Sequence, residues 1–376
     1  MISIPALARE RPSADRPRGA ASERALPRRK PPHRMHYYRV FGLILESERP
    51  LPGLMEGAAC EVDISLRLGQ AWPDFLPAHG SASWQPATDR AYSLAWRGVH
   101  LATARAADGQ LYHWLRYPHR DKFIDFVIDE SGRRLWAMWP EAVPFADVAA
   151  YLVGPALIST LRLRGTLSLH ASVVGWRGRA LAVVGQNGRG KSTVAAALAR
   201  TGLTVLSDDV AVLAERGGAF WAQPGLTRLR LSPASAELLV GGAGGLAPVL
   251  AAYDDKYYLE LTTDPAGPAA RSGEPEFRYQ PEPLPLAAIY LLSGRYKGLE
   301  TTTASLLAGG EAFVALAAHS YTAYVLDQSQ RAAEFAALRR LADAVPVQFI
   351  TRPDGLEALP ALCETINSDF RQRLGA

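Results

Sequence analysis

The first half of the chain alternates hydrophobic and polar residues with the two-residue period of β-strands. Four stretches are read as strands: Val40–Leu45, Val62–Leu68 and Phe123–Ile128, which are rich in β-forming residues and of which two alternate clearly, and Arg133–Trp139. Asp108–Gly109 and Ser131–Gly132 supply turn signals between them. The pattern predicts a mostly antiparallel, β-rich N-terminal domain over residues 36–143.

Aromatic residues are frequent in this β-rich region. Its tryptophans are Trp72, Trp84, Trp96, Trp114, Trp136 and Trp139. Large aromatic side chains contribute most to burial in a sheet, so packing in the core and on the sheet faces is favoured over a ligand cage.

From residue 144 onward, short apolar strands alternate with helical patterns. Helices are predicted at 144–164, 194–200, 308–317, 331–344 and 356–374. Strands are predicted at 166–174, 180–184, 203–206, 226–231, 286–292 and 345–350, and loops at 241–245 and 263–283. The strand at 203–206 reads as buried and parallel to its neighbours. This alternation predicts an α/β domain over residues 144–376.

The positive charge of the chain is concentrated at its start. Residues 1–35 carry nine Lys and Arg against three Asp and Glu, which leaves 32 basic and 34 acidic residues for the rest. This tail has no hydrophobic periodicity and is expected to be disordered, and translation from Met35 is a hypothesis. The near-neutral remainder does not support a nucleic-acid partner.

Cysteine usage and hydropathy indicate the compartment. Cys60 and Cys363 lie far apart and show no metal-ligand spacing, which fits a reducing cytoplasm. No apolar run reaches the roughly 18–20 residues of a membrane span. No apolar segment follows the paired arginines at 28–29, which argues against an export signal. We therefore expect a cytoplasmic protein without a membrane partner.

A glycine-rich segment links the strand at 180–184 to the helix at 194–200. It reads G-x-x-x-x-G-K-S and comprises Gly185, Gln186, Asn187, Gly188, Arg189, Gly190, Lys191, Ser192 and Thr193. Glycines let backbone N–H groups converge on phosphate oxygens, and the helix N-terminus adds positive charge. In such a P-loop, Lys191 reaches the outer phosphates and Ser192 holds Mg²⁺. The alternative is a glycine turn that binds nothing.

Two adjacent acids, Asp208 and Asp209, end the strand at 203–206. Ligands of open α/β sheets lie beyond the carboxyl ends of strands, so these acids should face the phosphates. Acids in that position hold Mg²⁺ or accept a hydroxyl proton. The alternative is an acidic turn.

Missing motifs argue against two classes of P-loop protein. The chain has no N-K-x-D guanine motif and no L-S-G-G-Q segment, which argues against a GTPase and an ABC-type ATPase. A β-hairpin instead leads into the P-loop, and His170 lies on its first strand. On pattern alone, His170 could equally be a packed strand histidine.

In order and spacing, three motifs resemble the catalytic domain of HPr kinase/phosphorylase. They are Leu169-His-Ala-Ser, the P-loop, and Leu206-Ser-Asp-Asp209. The resemblance covers residues 165–215 by motif and the remaining C-terminal part more loosely. It implies an α/β P-loop kinase core like the C-terminal domain of HPr kinase.

A narrower resemblance is to the HPr-kinase-like proteins of lasso-peptide gene clusters, in which a similar β-rich region precedes the kinase core. It rests on Tyr38-Arg-Val-Phe-Gly-Leu, Ser47-Glu-Arg-Pro-Leu-Pro, Asp255-Lys256-Tyr, Pro285-Leu-Ala-Ala-Ile-Tyr-Leu-Leu and Arg352-Pro. Members of that group phosphorylate a serine of the precursor peptide. The implied activity is ATP- and Mg²⁺-dependent transfer of the γ-phosphoryl group to a peptide serine, with a lasso precursor as the partner.

The resemblance also implies a role for each matching residue. Lys191 and the loop amides bind the phosphates of ATP, while Ser192 and Asp209 hold Mg²⁺. Asp208 is the general base for the acceptor hydroxyl, and His170 lies close to Asp208 and orients or tunes it.

Other assignments stay open at this point. Lys256 and Arg228 are candidate contacts to phosphate or peptide, with surface cations as the alternative. The loop that adds a Mg²⁺ ligand and phosphorylase residues in HPr kinase/phosphorylase has no clear counterpart at 223–230, so phosphorolysis is not expected. A nucleotide-binding regulatory or scaffold protein of a biosynthetic cluster, a small-molecule kinase and a homo-oligomer also stay open.

Overall fold

The computed structural model describes residues 34–69, 71–86, 98–263 and 277–375. The predictions for the tail up to residue 33, for Trp96 and for most of the loop at 263–283 lie outside these residues. Met35–Ala376 cluster as one unit, so the strands and helices below belong to a single body.

Alternating residues of the first half build one sheet. Its strands within the described residues are β1 His36–Val40, β2 Leu43–Ser47, β3 Met55–Glu56, β4 Ile64–Gly69, β5 Gln85–Pro86, β6 His100–Arg105, β7 Leu111–His119, β8 Lys122–Asp129 and β9 Arg134–Met138. The order across the sheet is β3-β1-β2-β4-β9-β8-β7-β6-β5, and neighbours pair antiparallel except β2–β4 and β4–β9. The strands predicted at 62–68, 123–128 and 133–139 are confirmed to within two residues.

The single strand predicted at Val40–Leu45 is wrong. Phe41 and Gly42 have positive φ angles of 54° and 79°, and they form a two-residue turn between β1 and β2. Two consecutive residues at positive φ match the twist of a tight hairpin. The chain therefore reverses direction within the hydrophobic stretch Val40–Leu45, and the hydrophobic pattern does not show this turn.

The tryptophans of this sheet pack against one another. The rings of Trp84 and Trp114 lie 5.3 Å apart, and those of Trp72 and Trp114 lie 5.5 Å apart. Trp84 and Trp114 are buried, and the ring of Trp139 lies 5.7 Å from that of Phe145. The expectation of aromatic packing is confirmed for these residues.

A long apolar helix follows the sheet. It consists of α1 Phe145–Tyr151, one π-helical turn Leu152–Ala156 and α2 Leu157–Leu163. Pro155 has no N–H to donate and Gly154 departs from helical angles, which accounts for the irregular turn. The 19-residue helix is long and apolar enough to cross a membrane by length and composition, contrary to the expectation from the sequence, and 83% of its apolar window is buried inside the protein.

The second half contains two further sheets and five helices among its described residues. The strands are β10 Leu167–Leu169, β11 Ala171–Trp176, β12 Arg179–Val184, β13 Thr204–Ser207, β14 Ala211–Arg216, β15 Ala219–Ala222, β16 Arg228–Leu231, β17 Ala247–Leu250, β18 Tyr253–Glu260, β19 Leu284–Tyr296, β20 Thr303–Leu307 and β21 Val347–Pro353. The helices are α3 Lys191–Arg200, α4 Pro233–Val240, α5 Gly310–Ala317, α6 Gln328–Ala344 and α7 Leu359–Arg373, with a 3₁₀ turn at Ala323–Val325.

The strands of the second half form one larger and one smaller sheet. The larger sheet has the order β10-β14-β15-β19-β12-β11-β13, with β21 against β19 and β20 against β21. β12, β19 and β21 are parallel to one another. The smaller sheet has the order β16-β18-β17. The chain is therefore a mixed α/β protein, as predicted.

Three details of the second half differ from the expectations. β13 is buried and pairs antiparallel with β11, so the parallel pairing predicted for 203–206 is limited, among the described residues, to one isolated bridge between Val205 and Tyr279. The strand predicted at 166–174 breaks at His170, because β10 pairs with β14 whereas β11 pairs with β12 and β13. The sequence reading missed α4, which Ser232 caps through the N–H of Ser235.

One hydrophobic cluster contains residues from both sides of the expected domain boundary at 143/144. Leu45 and Phe126 of the first sheet share it with Val148, Val212 and Tyr324. The division into domains at 36–143 and 144–376 therefore stays a prediction.

Candidate phosphate-binding site

The glycine loop joins β12 to α3 as the sequence predicts. β12 ends at Val184 and α3 begins at Lys191. Gly190, just before the helix, has a φ of 86°, a backbone angle that side chains with a Cβ rarely adopt. The left-handed conformation of Gly190 lets the helix begin at the next residue, so the N-terminus of the helix lies next to the loop.

Lys191 is held at the base of the loop. Its side-chain nitrogen lies 3.2 Å from the carbonyl oxygen of Gln186 and 2.9 Å from Nε2 of His170. Lys191 is only 6% exposed. Burial lowers the pKa of Lys191 to about 8, although the nearby Asp209 and Asp208 oppose that shift.

His170 lies at the break between β10 and β11. Its Nδ1 lies 2.8 Å from the backbone carbonyl oxygen of Asp209. A carbonyl oxygen only accepts hydrogen bonds, so Nδ1 carries the proton and Nε2 accepts from the Lys191 ammonium. Burial lowers the pKa of His170, against the opposing effect of Asp209, so the ring is neutral.

Asp209 lies in a tight turn and carries a firmly ionised carboxylate. Its φ is 70°, and its Oδ2 accepts a hydrogen bond of 2.8 Å from Nη1 of Arg230. Burial raises the pKa of Asp209, but Arg230, His170 and two lysines outweigh burial and bring it to about 2. The hydroxyl of Tyr321 also bonds to this carboxylate.

Asp208 is positioned by different partners. Its Oδ1 accepts a 2.6 Å hydrogen bond from the hydroxyl of Ser172, and its Oδ2 accepts a 2.8 Å bond from the backbone N–H of Arg230. Asp208 is 4% exposed. Each oxygen therefore has one fixed partner, and the carboxylate cannot rotate freely.

A cavity of about 300 Å³ opens beside the loop. It is lined by His170, Gln186, Asn187, Asp209, Lys256, Ala318, His319, Ser320 and Tyr321. The structure thus brings Lys256 together with the P-loop and Asp209. Asp208 is buried and does not line the cavity.

Other residues predicted for the site lie elsewhere. Arg228 forms an ion pair of 2.8 Å with Glu260, and its guanidinium lies 4.2 Å from the ring centre of Tyr258. Arg228 does not line the cavity. The hydroxyl of Thr193 lies 2.8 Å from that of Ser235, so this side chain is engaged with α4.

The sequence reading missed three polar residues of the site. Ser172 follows His170 by two residues, and Arg230 follows Arg228 by two on β16. Strand periodicity places Arg230 on the same face of β16 as Arg228 but does not rank the two. It does not apply to Ser172, because the strand breaks at His170. Tyr321 comes from a distant turn after α5, and no local pattern in the sequence points to it.

The donor set can be compared with the needs of Mg²⁺. Mg²⁺ is typically bound by one or two protein oxygens together with phosphate and water oxygens. The hydroxyl of Ser192 and the carboxylate of Asp209 fit this set, although Arg230 already occupies one oxygen of Asp209. Within the described residues, no group of three or more His, Cys, Asp or Glu side chains forms a complete metal cage.

The fold and the site define a mixed α/β protein with a strand–loop–helix P-loop sequence and two acids beside it. No family model and no curated protein matches the chain. Among solved structures, the chain is similar to the Hpr(Ser) kinase/phosphatase from Coxiella burnetii, with 13% sequence identity and a TM-score of 0.28. The match covers 56% of this chain and 99% of the other.

Proposed function

We propose that this protein is an ATP- and Mg²⁺-dependent kinase that transfers the γ-phosphoryl group to a serine hydroxyl of a peptide. One observation supports the proposal: His170 contacts both the ammonium of Lys191 and the backbone of Asp209, and His170 and Asp209 line one cavity. Phosphoryl transfer needs few covalent partners from the protein, because positioning and charge stabilisation supply most of the acceleration.

Lys191 and the loop amides would bind the outer phosphates of ATP. To bind the phosphates, the ammonium of Lys191 would break its hydrogen bonds to the Gln186 carbonyl and to His170 and form hydrogen bonds to phosphate oxygens. Ser192 and Asp209 would hold Mg²⁺, which neutralises charge on the phosphates. Arg230 keeps Asp209 ionised and so ready to bind a cation.

Asp208 would act as the general base. As the serine oxygen bonds to the γ-phosphorus and the bond to ADP breaks, the hydroxyl proton passes to a carboxylate oxygen of Asp208. Ser172 and the N–H of Arg230 fix the orientation of this group. A carboxylate suffices as the base, since the proton moves late in a loose transition state.

A peptide acceptor, and a lasso precursor in particular, is the substrate that we favour. The motifs quoted above resemble lasso-cluster kinases, and the cavity of about 300 Å³ has room for a serine side chain beside a phosphate. Lys256 on the cavity wall adds positive charge for phosphate or for an acidic peptide. A cytoplasmic location fits this role, and the oligomeric state stays open.

A second function is favoured by the burial of Asp208. Because Asp208 is 4% exposed and both its oxygens are engaged, the site could bind a nucleotide without transferring phosphate. The protein would then act as a nucleotide-gated regulator or scaffold of a biosynthetic cluster.

Mass spectrometry separates the two functions. A lasso precursor peptide with a C-terminal serine is incubated with the protein, ATP and Mg²⁺, with Lys191→Ala as the control. We expect the peptide to gain one phosphoryl mass on a serine, and the gain to disappear in the variant. A protein that binds ATP but leaves the peptide unmodified would favour the regulatory function or another acceptor, such as a small molecule.

A further inference from the structure

Three arginines gather beside the P-loop, and two of them line a cavity that is separate from the one lined by Asp209. Arg189 belongs to the loop itself, whereas Arg295 and Arg352 lie near the carboxyl ends of β19 and β21. These two strands run parallel to β12, which feeds the loop. Ligands of such sheets lie beyond the carboxyl ends of the strands, so the cluster lies where a ligand is expected.

Arg295 and Arg352 are direct neighbours across the two strands. Like charges placed opposite each other destabilise a sheet, so this pairing has a cost that the fold alone does not explain. Burial, together with the neighbouring Arg295 and Arg189, lowers the pKa of Arg352 to about 10, and Asp354 opposes this shift. An anion placed between the guanidinium groups would relieve this repulsion.

Arg352 is built into the site and is not a surface side chain. It is 5% exposed, and its Nη2 donates to the backbone carbonyl of Arg189, which ties it to the loop. Its Nε is buried and has no partner among the described residues. A buried unsatisfied donor on a cation costs free energy unless a ligand satisfies it.

The cavity beside these arginines limits the size of the group that reaches them. It measures about 20 Å³ and is lined by Gly190, Thr193, Arg295 and Arg352, among others. A water-sized atom needs roughly 10–15 Å³ of such space, so one oxygen atom fits and a nucleobase does not. A Cβ on Gly190 would lie 3.4 Å from Nη2 of Arg295 and 3.8 Å from Nη1 of Arg352.

We propose that Arg295 and Arg352 bind the innermost, α-phosphate of the nucleoside triphosphate. The triphosphate then crosses the P-loop in one direction, with its γ-phosphate toward Asp208 and Asp209 and its nucleoside end toward β19 and β21. The direction follows from the proposed function, in which Asp209 holds Mg²⁺ and Asp208 takes the acceptor proton at the γ-phosphate, so the guanidinium groups are left for the α-phosphate. The inference rests on the proposed nucleotide site.

Nucleotide affinity tests the proposal. The dissociation constant of a non-hydrolysable ATP analogue is measured by calorimetry for the wild type, Arg295→Gln and Lys297→Gln. Both changes remove an exposed cation near the end of β19, but Lys297 does not line the cavity. We expect Arg295→Gln to weaken binding about tenfold, as for loss of one charge-assisted hydrogen bond, and Lys297→Gln by less than about twofold. Equal affinity of Arg295→Gln and the wild type would overturn the proposal.

A second experiment tests whether the arginines bind the α-phosphate of the nucleotide or a separate free anion. Inorganic phosphate is titrated into the wild type saturated with the ATP analogue. We expect no further binding, because the nucleotide already fills the cluster. Phosphate binding that disappears in Arg295→Gln would instead show an independent anion site and would contradict the α-phosphate assignment.

The outcomes are distinguishable from failure of the proposed kinase activity. If the analogue depends on Arg295 but no peptide or other acceptor is phosphorylated, the α-phosphate assignment stands and the kinase proposal fails. If phosphate is transferred to an acceptor and Arg295→Gln binds the nucleotide normally, the kinase proposal stands and the α-phosphate assignment fails.

Discussion

The side-chain nitrogen of Lys191 lies 2.9 Å from Nε2 of His170, which links the P-loop lysine to the turn that carries Asp209. The link works only if His170 is neutral with its proton on Nδ1, since Nδ1 faces a carbonyl oxygen and Nε2 faces an ammonium. His170 is thus a positioning residue between two groups of the site.

The tautomer of His170 can be observed directly. In the ¹⁵N-histidine-labelled protein at pH 7, we expect long-range ¹H–¹⁵N spectra to show His170 protonated at Nδ1 and unprotonated at Nε2. Comparison with His170→Gln assigns the signal. A spectrum in which Nε2 carries the proton would rule out the hydrogen bond from Lys191.

Nucleotide affinity should depend on pH through Lys191. Its pKa of about 8 lies below the usual value of 10.5, mainly because the side chain is buried, while phosphates bind its charged form. Below pH 8 the lysine is already charged, whereas above pH 8 binding must take up a proton. Affinity should therefore fall by up to about tenfold per pH unit above pH 8.

Calorimetric titration with a non-hydrolysable ATP analogue from pH 7.5 to 9.5 measures this effect. Lys191→Ala should bind weakly and with little change over the same range, which separates Lys191 from other titrating groups. Wild-type affinity that stays constant up to pH 9.5 would show that Lys191 keeps its ordinary pKa.

Asp208 should be needed for transfer but not for nucleotide binding. Asp208→Asn keeps the shape of the side chain and can still accept from Ser172 or from the N–H of Arg230, but it cannot take a proton. We expect kcat to fall more than about a hundredfold, and the dissociation constant of the ATP analogue to change by less than about threefold. Normal turnover in this variant would remove Asp208 from the role of base.

Ser172→Ala is the matched test of positioning. It removes the 2.6 Å hydrogen bond to Asp208 and leaves the carboxylate in place. We expect a decrease in kcat of about tenfold, which corresponds to one hydrogen bond. A decrease in thermal stability without a change in kcat would assign Ser172 a structural role only.

Local patterns explain which parts of this site the sequence could predict. The strand before the P-loop and the helix after it were predicted correctly, because hydrophobic runs and glycines act over a few residues. The break at His170 was missed because it depends on strand pairing: β10 pairs with β14, whereas β11 pairs with β12 and β13. Such pairings join residues that are distant in the chain.

The pair Arg228 and Arg230 shows the same limit within one strand. Alternation places both side chains on one face of β16 and cannot rank them. The cross-strand register decides, since Arg228 lies opposite Glu260 and Arg230 lies opposite Tyr258. Glu260 pairs with Arg228, while Arg230 reaches Asp209. The register of β16 with β18 is thus the information that the sequence reading lacked.

The ion pair of Asp209 with Arg230 should matter for stability, in contrast to pairs on the surface. In this pair the two side chains are 17% and 14% exposed, and removal of the carboxylate leaves a buried guanidinium without its partner. We expect Asp209→Ala to lower the free energy of unfolding by about 3 kcal/mol at pH 7. The control is Asp343→Ala in the exposed pair with Arg339, where a change within about 0.5 kcal/mol is expected.

The same carboxylate should produce an acid-dependent loss of stability. The pKa of Asp209 is about 2 in the folded protein against an ordinary value of 3.8, so its contribution is complete above pH 3.8 and is lost as the pH falls toward 2. Urea unfolding at pH 7 and pH 3 measures both effects. The difference between wild type and Asp209→Ala should be smaller at pH 3 than at pH 7. A difference that is equal at the two pH values would contradict the low pKa and would attribute the loss to packing.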